Sequence, residues 1–174
     1  YCYDDRDSDG QRNDPKPASE VRALVEVVTR ARPDVLALQE MGSEPLLEEF
    51  RGKLRTAGLD YPYADYLPAP NTNVNLAVLS MFPIVGRQSV TNETYTIGET
   101  TLPVQRGFQA LDLQVSPDYR FRLVNVHLKS KVFSYNGQTE MRRNEARLLN
   151  KHVRRFLAAE PGLNLLVVGD FNDQ

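Results

Sequence analysis

The chain has 174 residues, of which 41% are hydrophobic and 25% are charged, and its formal net charge is −2. This composition is typical of one globular domain with a sizeable core and excludes disordered and fibrous chains, while the charge argues against a strongly basic nucleic-acid-binding protein. The single cysteine allows no internal disulfide, and no run of about 18 apolar residues could span a bilayer.

The first third of the sequence predicts an exposed arm and then alternating helices and a strand. The arm is rich in Asp, Arg, Gly and Pro, which favour loops. Apolar residues at helical spacing predict a helix that Pro33 ends. A short apolar run predicts a buried strand that leads into Glu40, and Ser43 is the expected N-cap of a second helix. These predicted elements cover residues 1–17, 21–32, 34–39 and 43–58.

The rest of the sequence predicts strands around one long helix. Short β-like runs predict strands over 61–66, 76–81, 84–90, 108–115, 119–128 and 163–169. One side of the helix at 139–159 is apolar: Ala146, Leu149, Val153 and Phe156. Its opposite side is basic and is interpreted as a solvated face rather than a binding site: Arg143, Arg147, Lys151 and Arg155. His152 is interpreted as an ordinary surface residue, and the fold class is mixed α/β with layered sheets.

Polar side chains stand where three of the predicted strands end. Glu40 follows the first of these strands, Asn125 and His127 end the second, and Asp170 and Asn172 follow the third. Ligand sites in α/β sheets lie at the carboxyl ends of strands, because side chains from several strands can converge there. Since side chains alternate along a strand, the two members of each pair share one face. The sequence therefore predicts one cleft that all five side chains line.

The residue types in this cleft favour a divalent cation and a phosphate. Glu40 and Asp170 supply anionic oxygens and Asn172 a neutral amide, which suits Mg²⁺ or Mn²⁺ held by few protein ligands plus water and substrate phosphate. Zinc is disfavoured, because the sequence has no cysteine ligands or clustered histidines around these positions. His127 ends an apolar strand, and next to a phosphate it can donate a hydrogen bond or a proton to an oxygen.

Four segments carry a recognisable order: DVLALQE at 34–40, NLAVLSMFPI at 75–84, NVHLKSK at 125–131 and VGDFND at 168–173. Together they strongly resemble the endonuclease/exonuclease/phosphatase superfamily, which has the DNase I-like fold. The resemblance implies an α/β four-layer sandwich, with two packed β-sheets flanked by helices. It also implies that residues 1–174 form a single domain of this kind.

The resemblance further implies roles for individual residues. Glu40 would bind the catalytic divalent metal, Mg²⁺ or Mn²⁺. Asp170 would engage the attacking water or the metal, Asn172 a phosphate oxygen, and His127 the phosphate from the opposite side. Two more residues are expected to bind substrate: Arg106 and Asn125.

The chain departs from the family pattern at both ends. Members of the family begin with a strand that carries an active-site Asn and end with a segment that carries an Asp-His pair, and neither is seen here. The domain is therefore expected to be incomplete at both ends, without its N- and C-terminal strands. If these residues were the whole polypeptide, the exposed sheet edges would favour self-association or a second chain that covers them.

The leading hypothesis is divalent-metal-dependent hydrolysis of a phosphodiester or phosphomonoester by metal-assisted attack of water. The substrate stays open between DNA or RNA, phosphoinositide or sphingomyelin, and small phosphoesters, and the cellular compartment stays open as well. The alternative is a catalytically incomplete module of the same fold that binds phosphate or a protein partner. Four tyrosines could stack on bases but are interpreted as packing residues: Tyr61, Tyr63, Tyr66 and Tyr135.

Overall fold

The computed structural model describes residues 16–173. The helices are α1 (Ala18–Ala31), α2 (Glu44–Thr56) and α3 (Gln138–Ala159). The strands are β1 (Val35–Met41), β2 (Tyr63–Leu67), β3 (Asn75–Ser80), β4 (Ile84–Arg87), β5 (Thr94–Ile97), β6 (Thr100–Pro103), β7 (Phe108–Ser116), β8 (Tyr119–His127) and β9 (Leu165–Asp170). Of the predicted arm at 1–17, all but Lys16 and Pro17 lies outside the described residues, and these two are exposed.

The strands form two larger sheets and one hairpin. The first sheet has the order β1-β3-β2 and the second the order β4-β7-β8-β9, while β5 pairs with β6. Most neighbours are antiparallel, but β8 and β9 run parallel and join through α3. The parallel pair matters for the site, because it brings two strands to the same edge of the sheet at their carboxyl ends.

The two larger sheets pack face to face. Val78 of β3 meets Leu111 of β7 and Leu123 of β8 in an apolar layer between the sheets. A second apolar cluster joins α1 and α2 to the outer face of the first sheet, and a third joins α3 to the outer face of the second. The predicted four-layer order of helices, sheet, sheet and helix is therefore confirmed.

Local sequence explains where the helices end. Arg32 adopts a left-handed φ of 47° after α1, and Pro33 follows. Ser43 occupies the N-cap of α2, where its carbonyl accepts hydrogen bonds from the first turn rather than its side chain forming the cap. Gly58, with φ of 85°, follows α2, as a glycine does where the chain turns left-handed. Within the described residues, the helices are too short or too polar to cross a membrane.

The buried stripe of helix α3 overlaps the predicted apolar stripe only in part, at Leu149 and Phe156. The buried side chains are Met141, Glu145, Leu149, His152 and Phe156. Ala146 is exposed instead, although it was predicted to lie on the apolar side. The basic side chains are exposed as predicted: Arg143, Arg147, Lys151 and Arg155. The buried stripe therefore includes two titratable residues, and both have partners in segments far away in sequence.

The surface interpretation of His152 is wrong. Its side chain is 4% exposed, and its Nε2 lies 2.9 Å from Oε1 of Glu93. The imidazole also packs beside Phe108 and Phe156, with ring centroids 5.8 Å and 6.3 Å away. Glu93 leads into the β5-β6 hairpin, which the sequence did not predict. His152 is therefore buried because a hairpin returns against α3.

Strands β1 and β9 are less buried than their apolar runs predicted. Residues 35–39 of β1 are half-buried, and Leu166 of β9 is 49% exposed. The reason is their place in the sheets, since each is an outer strand among residues 16–173. Strand β3, which lies between two neighbours, is buried throughout.

Candidate active site

The candidate site lies where the ends of β1, β8 and β9 meet. Nε2 of Gln39 donates a hydrogen bond of 2.7 Å to Oδ1 of Asn125, which holds the end of β1 against β8 across the two sheets. In the parallel pair, His127 of β8 stands opposite Asp170 of β9. Glu40 follows Gln39 directly, so this topology brings Glu40, His127 and Asp170 to one edge of the sandwich.

Glu40 lies in an irregularity of β1. The pairing of β1 with β3 shifts register between Leu38 and Met41, and Glu40 has a φ of 55°. A left-handed conformation in a residue other than glycine costs about 1–3 kcal/mol and persists only where the surroundings enforce it. Bulges of this kind re-aim a side chain at the end of a strand. The side chain of Glu40 is exposed to solvent at this edge.

His127 is the buried member of the group. It is 4% exposed, its Nε2 lies 3.8 Å from Oδ2 of Asp170, and its Nδ1 has no hydrogen-bond partner within residues 16–173. Burial lowers the pKa of His127 below its ordinary value of 6.5, and the charge of Arg106 lowers it further, whereas Glu40 and Asp170 raise it. The imidazole is therefore neutral at neutral pH and retains one N–H to donate.

A tight turn after β9 arranges Asp170 and Asn172. The backbone N–H of Asn172 donates to Oδ1 of Asp170 over 2.8 Å, and Asn172 adopts a left-handed φ of 53°, which asparagine tolerates well. Nδ2 of Asn172 then donates to the carbonyl of Leu128 over 3.0 Å. The turn leaves Asp170 half-exposed beside His127, with the amide of Asn172 close by.

Arg106 reaches the same place from the loop before β7. Its Nη1 donates to the carbonyl of Leu128 over 3.3 Å, so Arg106 and Asn172 share one acceptor. Arg106 is 9% exposed, and its positive charge lowers the pKa of His127. The structure thus brings Arg106 together with His127, Asp170 and Asn172.

Asn125 does not join this group. Its side chain is fully buried between the sheets. Oδ1 accepts from Gln39, and the two N–H groups of Nδ2 are shared among three acceptors: the carbonyls of Leu38 and Ala77 and Oε1 of Gln109. A side chain that is enclosed and bonded in this way has no surface for a substrate. The expectation that Asn125 binds substrate is therefore corrected, because the residue faces the other sheet rather than the cleft.

The carboxylates at this edge provide oxygen donors for a cation. Glu40 is exposed at the end of β1, and Asp170 is half-exposed at the end of β9 beside His127. Among the described residues, no group of three His, Cys, Asp or Glu side chains is arranged to enclose a metal. Mg²⁺ is commonly bound through one or two carboxylates, with water and phosphate oxygens completing its shell. The donor set fits a hard divalent cation of this kind.

Glu145 of α3, which was not predicted, supports the two backbone segments next to the site. It is 1% exposed, and its carboxylate accepts from the backbone N–H of Lys129 over 2.6 Å and from that of Gln105 over 3.4 Å. These two residues adjoin the segments that carry His127 and Arg106. Burial raises the pKa of Glu145, while the two backbone hydrogen bonds oppose the rise. The sequence signal that could have found it is its spacing of four residues from apolar Met141 and from apolar Leu149 on the same helix face.

Comparison with known proteins gives the fold and a family. The sequence profile of the Endonuclease/Exonuclease/phosphatase family matches residues 9–174, and no curated protein sequence matches the chain. Truncated TDP2 of Caenorhabditis elegans has a similar structure, with 21% identity and a TM-score of 0.65 over 90% of this chain and 56% of that chain.

Two other similar structures come from different organisms. For the human Nocturnin catalytic domain with bound sulfate anion, the identity is 19% and the TM-score 0.66, over 93% of this chain and 60% of that chain. For sphingomyelinase C from Streptomyces griseocarneus, the identity is 18% and the TM-score 0.63, over 89% of this chain and 57% of that chain. The chain thus spans between 56% and 60% of the length of these three structures. At such identities they support the predicted DNase I-like fold and nothing finer.

Proposed function

The chain belongs to the endonuclease/exonuclease/phosphatase family, and we propose that it contributes the active site of a divalent-metal-dependent hydrolase acting on phosphoester bonds. The observation that carries this proposal is the group of charges around His127. Asp170 lies 3.8 Å from Nε2 of His127, Arg106 donates to the carbonyl of the adjacent Leu128, and Glu40 follows Gln39, whose side chain bonds to β8. Opposite charges gathered at an exposed sheet edge are suited to a cation and a phosphate together.

The proposed metal ligand is Glu40, with Asp170 beside it. Bound there, Mg²⁺ or Mn²⁺ would supply a Lewis acid that neutralises charge developing on the phosphoryl and leaving oxygens. The same residues would otherwise repel an anionic substrate, because both are carboxylates at an exposed edge. A cation is therefore the natural partner of this half of the site.

The other half of the site is proposed to hold the phosphate. Neutral His127 donates its N–H to a phosphate oxygen, and Arg106 adds a positive charge that attracts the same group. Asp170 accepts a hydrogen bond from the attacking water and orients it. Nδ2 of Asn172 has a second N–H besides the one it donates to Leu128, and this hydrogen is suited to a phosphate oxygen.

The test uses the full-length protein that contains this chain. Hydrolysis of bis(p-nitrophenyl) phosphate, p-nitrophenyl phosphate, single-stranded DNA, RNA and sphingomyelin is measured with Mg²⁺, with Mn²⁺ and with excess EDTA. We expect turnover of at least one phosphodiester, strictly dependent on the metal. Undiminished activity in EDTA would rule out the metal-dependent mechanism, and tight binding without turnover would indicate a non-catalytic module.

Glu40→Gln is the decisive variant, because it removes one charge and little volume. We expect its rate to fall by about 10²-fold or more, since a charge at the reacting centre is lost. Glu26→Gln makes the same change on exposed α1, where Glu26 pairs with Arg30 of the next turn, and its rate should match the wild type. Equal rates for both variants would remove Glu40 from the site.

A further inference from the structure

The conformation of Glu40 needs structural support. Its φ of 55° is a strained value for a residue with a side chain, and the ladder between β1 and β3 shifts register around it, between Leu38 and Met41. Regular sheet pairing therefore does not hold this residue in place. Strain of this kind lasts only where neighbouring groups over-determine the backbone, so the support must come from other contacts.

One support lies on the N-terminal side of Glu40. Nδ2 of Asn125 donates to the carbonyl of Leu38 over 3.1 Å and to that of Ala77 over 3.2 Å. These two residues stand opposite each other in the β1-β3 ladder, at the last regular pair before the shift. Oδ1 of Asn125 accepts from the side chain of Gln39 over 2.7 Å. A single buried amide thus ties the last regular pair of the ladder to the residue next to Glu40.

A second support lies on the C-terminal side of Glu40. Nδ2 of Asn75 donates to the carbonyls of Met41 and Gly42 over 3.0 Å and 2.9 Å, and its Oδ1 accepts from the backbone N–H of Ala69 over 2.8 Å. Asn75 is 7% exposed. Buried carbonyls must find donors, and here one asparagine donates to the two that follow Glu40, while the hydroxyl of Tyr66 also donates to that of Gly42 over 2.9 Å.

The orientation of the Asn125 amide is itself determined by a carboxylate. Nδ2 of Asn125 donates to Oε1 of Gln109 over 3.1 Å, and Nε2 of Gln109 donates to Oδ1 of Asp65 over 2.8 Å. An ionised carboxylate only accepts, so Gln109 must turn its NH₂ group toward Asp65 and its oxygen toward Asn125. Asn125 must then present its NH₂ group to Gln109 and to β1. The chain of hydrogen bonds allows one arrangement.

We propose that Asn75 and Asn125 are positioning residues that hold the Glu40 bulge from its two sides and so aim the carboxylate of Glu40 at the site. Neither asparagine touches substrate, since both are buried. Groups that orient a ligand or catalytic residue in this way typically change metal affinity or activity by about 10- to 100-fold when they are replaced. The functional part of this inference rests on the proposed role of Glu40, whereas the structural part concerns the bulge alone.

The experiment compares Asn75→Ala and Asn125→Ala with a control in the full-length protein. Leu113→Val is the control, because it weakens the apolar layer between the two sheets at a place far from the site. Leu113 pairs with Phe121 of β8, which lies about 20 Å along that strand from His127. Three quantities are measured: amide hydrogen exchange of the peptide 38–44, Mn²⁺ affinity by electron paramagnetic resonance, and kcat and KM for bis(p-nitrophenyl) phosphate. The melting temperature of each variant is also measured and compared with that of the control, so that a general loss of stability can be told from a local effect on the bulge.

For both asparagine variants we expect faster exchange in the peptide 38–44 and a loss of about 10- to 100-fold in Mn²⁺ affinity and kcat. The control should lower the melting temperature and leave exchange in this peptide and Mn²⁺ affinity unchanged. The inference is overturned if the asparagine variants change no more than the control does. If Asn125→Ala fails to fold, Gln39→Leu replaces it, because this change removes the donor to Oδ1 of Asn125. If Asn75→Ala fails to fold, Asn75→Asp replaces it, because this change keeps the acceptor for the N–H of Ala69 and removes the donor to the carbonyls of Met41 and Gly42. Unchanged exchange in the replacement variant also overturns the inference.

The same measurements separate this inference from the proposed function. A wild-type protein that neither binds Mn²⁺ nor hydrolyses any phosphoester would contradict the proposed function. Hydrogen exchange in the peptide 38–44 would still decide whether the two asparagines hold the bulge. Conversely, an active wild type whose asparagine variants behave like the control would leave the proposed function standing without this support.

Discussion

A single methyl group at Gly169 should destabilise the protein strongly. Gly169 has a φ of 134°, and a Cβ built there would lie 2.0 Å from the carbonyl oxygen of Val126 and 2.9 Å from its carbon and nitrogen. All three are backbone atoms of β8, so no side chain can rotate away. Strands β8 and β9 would have to separate by about 1 Å or more, since real contacts of this kind lie above 3.0 Å.

The cost of Gly169→Ala follows from these two effects. Overpacking typically costs about 1–3 kcal/mol, and a left-handed backbone adds about 1–2 kcal/mol for an alanine. We therefore expect a loss of about 2–5 kcal/mol in the free energy of unfolding, measured by urea denaturation of the full-length protein. Activity should fall as well, because Asp170 follows Gly169 and pairs with His127.

Gly52→Ala is the matched control for this experiment. It adds the same methyl group in the middle of α2, where nothing lies within 4 Å of the new Cβ. Because glycine is unfavourable inside a helix, the change should raise the free energy of unfolding by about 0.5–1 kcal/mol. A stability of Gly169→Ala within about 0.5 kcal/mol of wild type would refute the reasoning, since it would show that β8 and β9 do not approach as closely as described.

Two further predictions concern buried charges. Asp112→Ala should lower the free energy of unfolding by about 3–5 kcal/mol, measured by urea denaturation. The side chain of Arg122 is 5% exposed, and the change removes the carboxylate that its guanidinium contacts at 2.7 Å and 2.9 Å. A loss below about 1 kcal/mol would contradict the burial of this pair. Burial raises the pKa of Glu145 in the folded state above its ordinary value of 4.5, so the folded state binds the proton more tightly. The stability that Glu145 contributes is therefore present below pH 4.5 and is lost as the pH rises through the raised pKa. As the pH rises from 4.5 through the raised pKa, the melting temperature of the wild type should fall relative to that of Glu145→Gln. A difference in melting temperature that does not change with pH would argue against a raised pKa of Glu145.

Local patterns in the sequence were sufficient for the mixed α/β class, for most of its elements and for the polar residues at the strand ends, whereas the four-layer arrangement was implied by the family resemblance. Alternating and continuous apolar runs predicted the main strands, and the helices were predicted close to their observed bounds. Glu40, His127, Asp170 and Asn172 could be singled out because each follows or ends an apolar strand, where the local pattern changes abruptly. For His127, Asp170 and Asn172 the proximity also followed from a general rule, since the carboxyl ends of the parallel neighbours β8 and β9 meet at one edge; Glu40 comes from the other sheet, and the packing of the two sheets brings it there.

Tertiary structure alone decided which polar side chains are buried and what they do there. Asn125 resembled a cleft residue in sequence, but it bonds to Gln39, which lies 86 residues away. His152 resembled a surface residue, but it bonds to Glu93, which lies 59 residues away. Burying a polar group is favourable only when a partner satisfies its hydrogen bonds. Because those partners belong to distant segments, the sequence around Asn125 or His152 contains no information about them, and only the packing of the sheets and helices determines their roles.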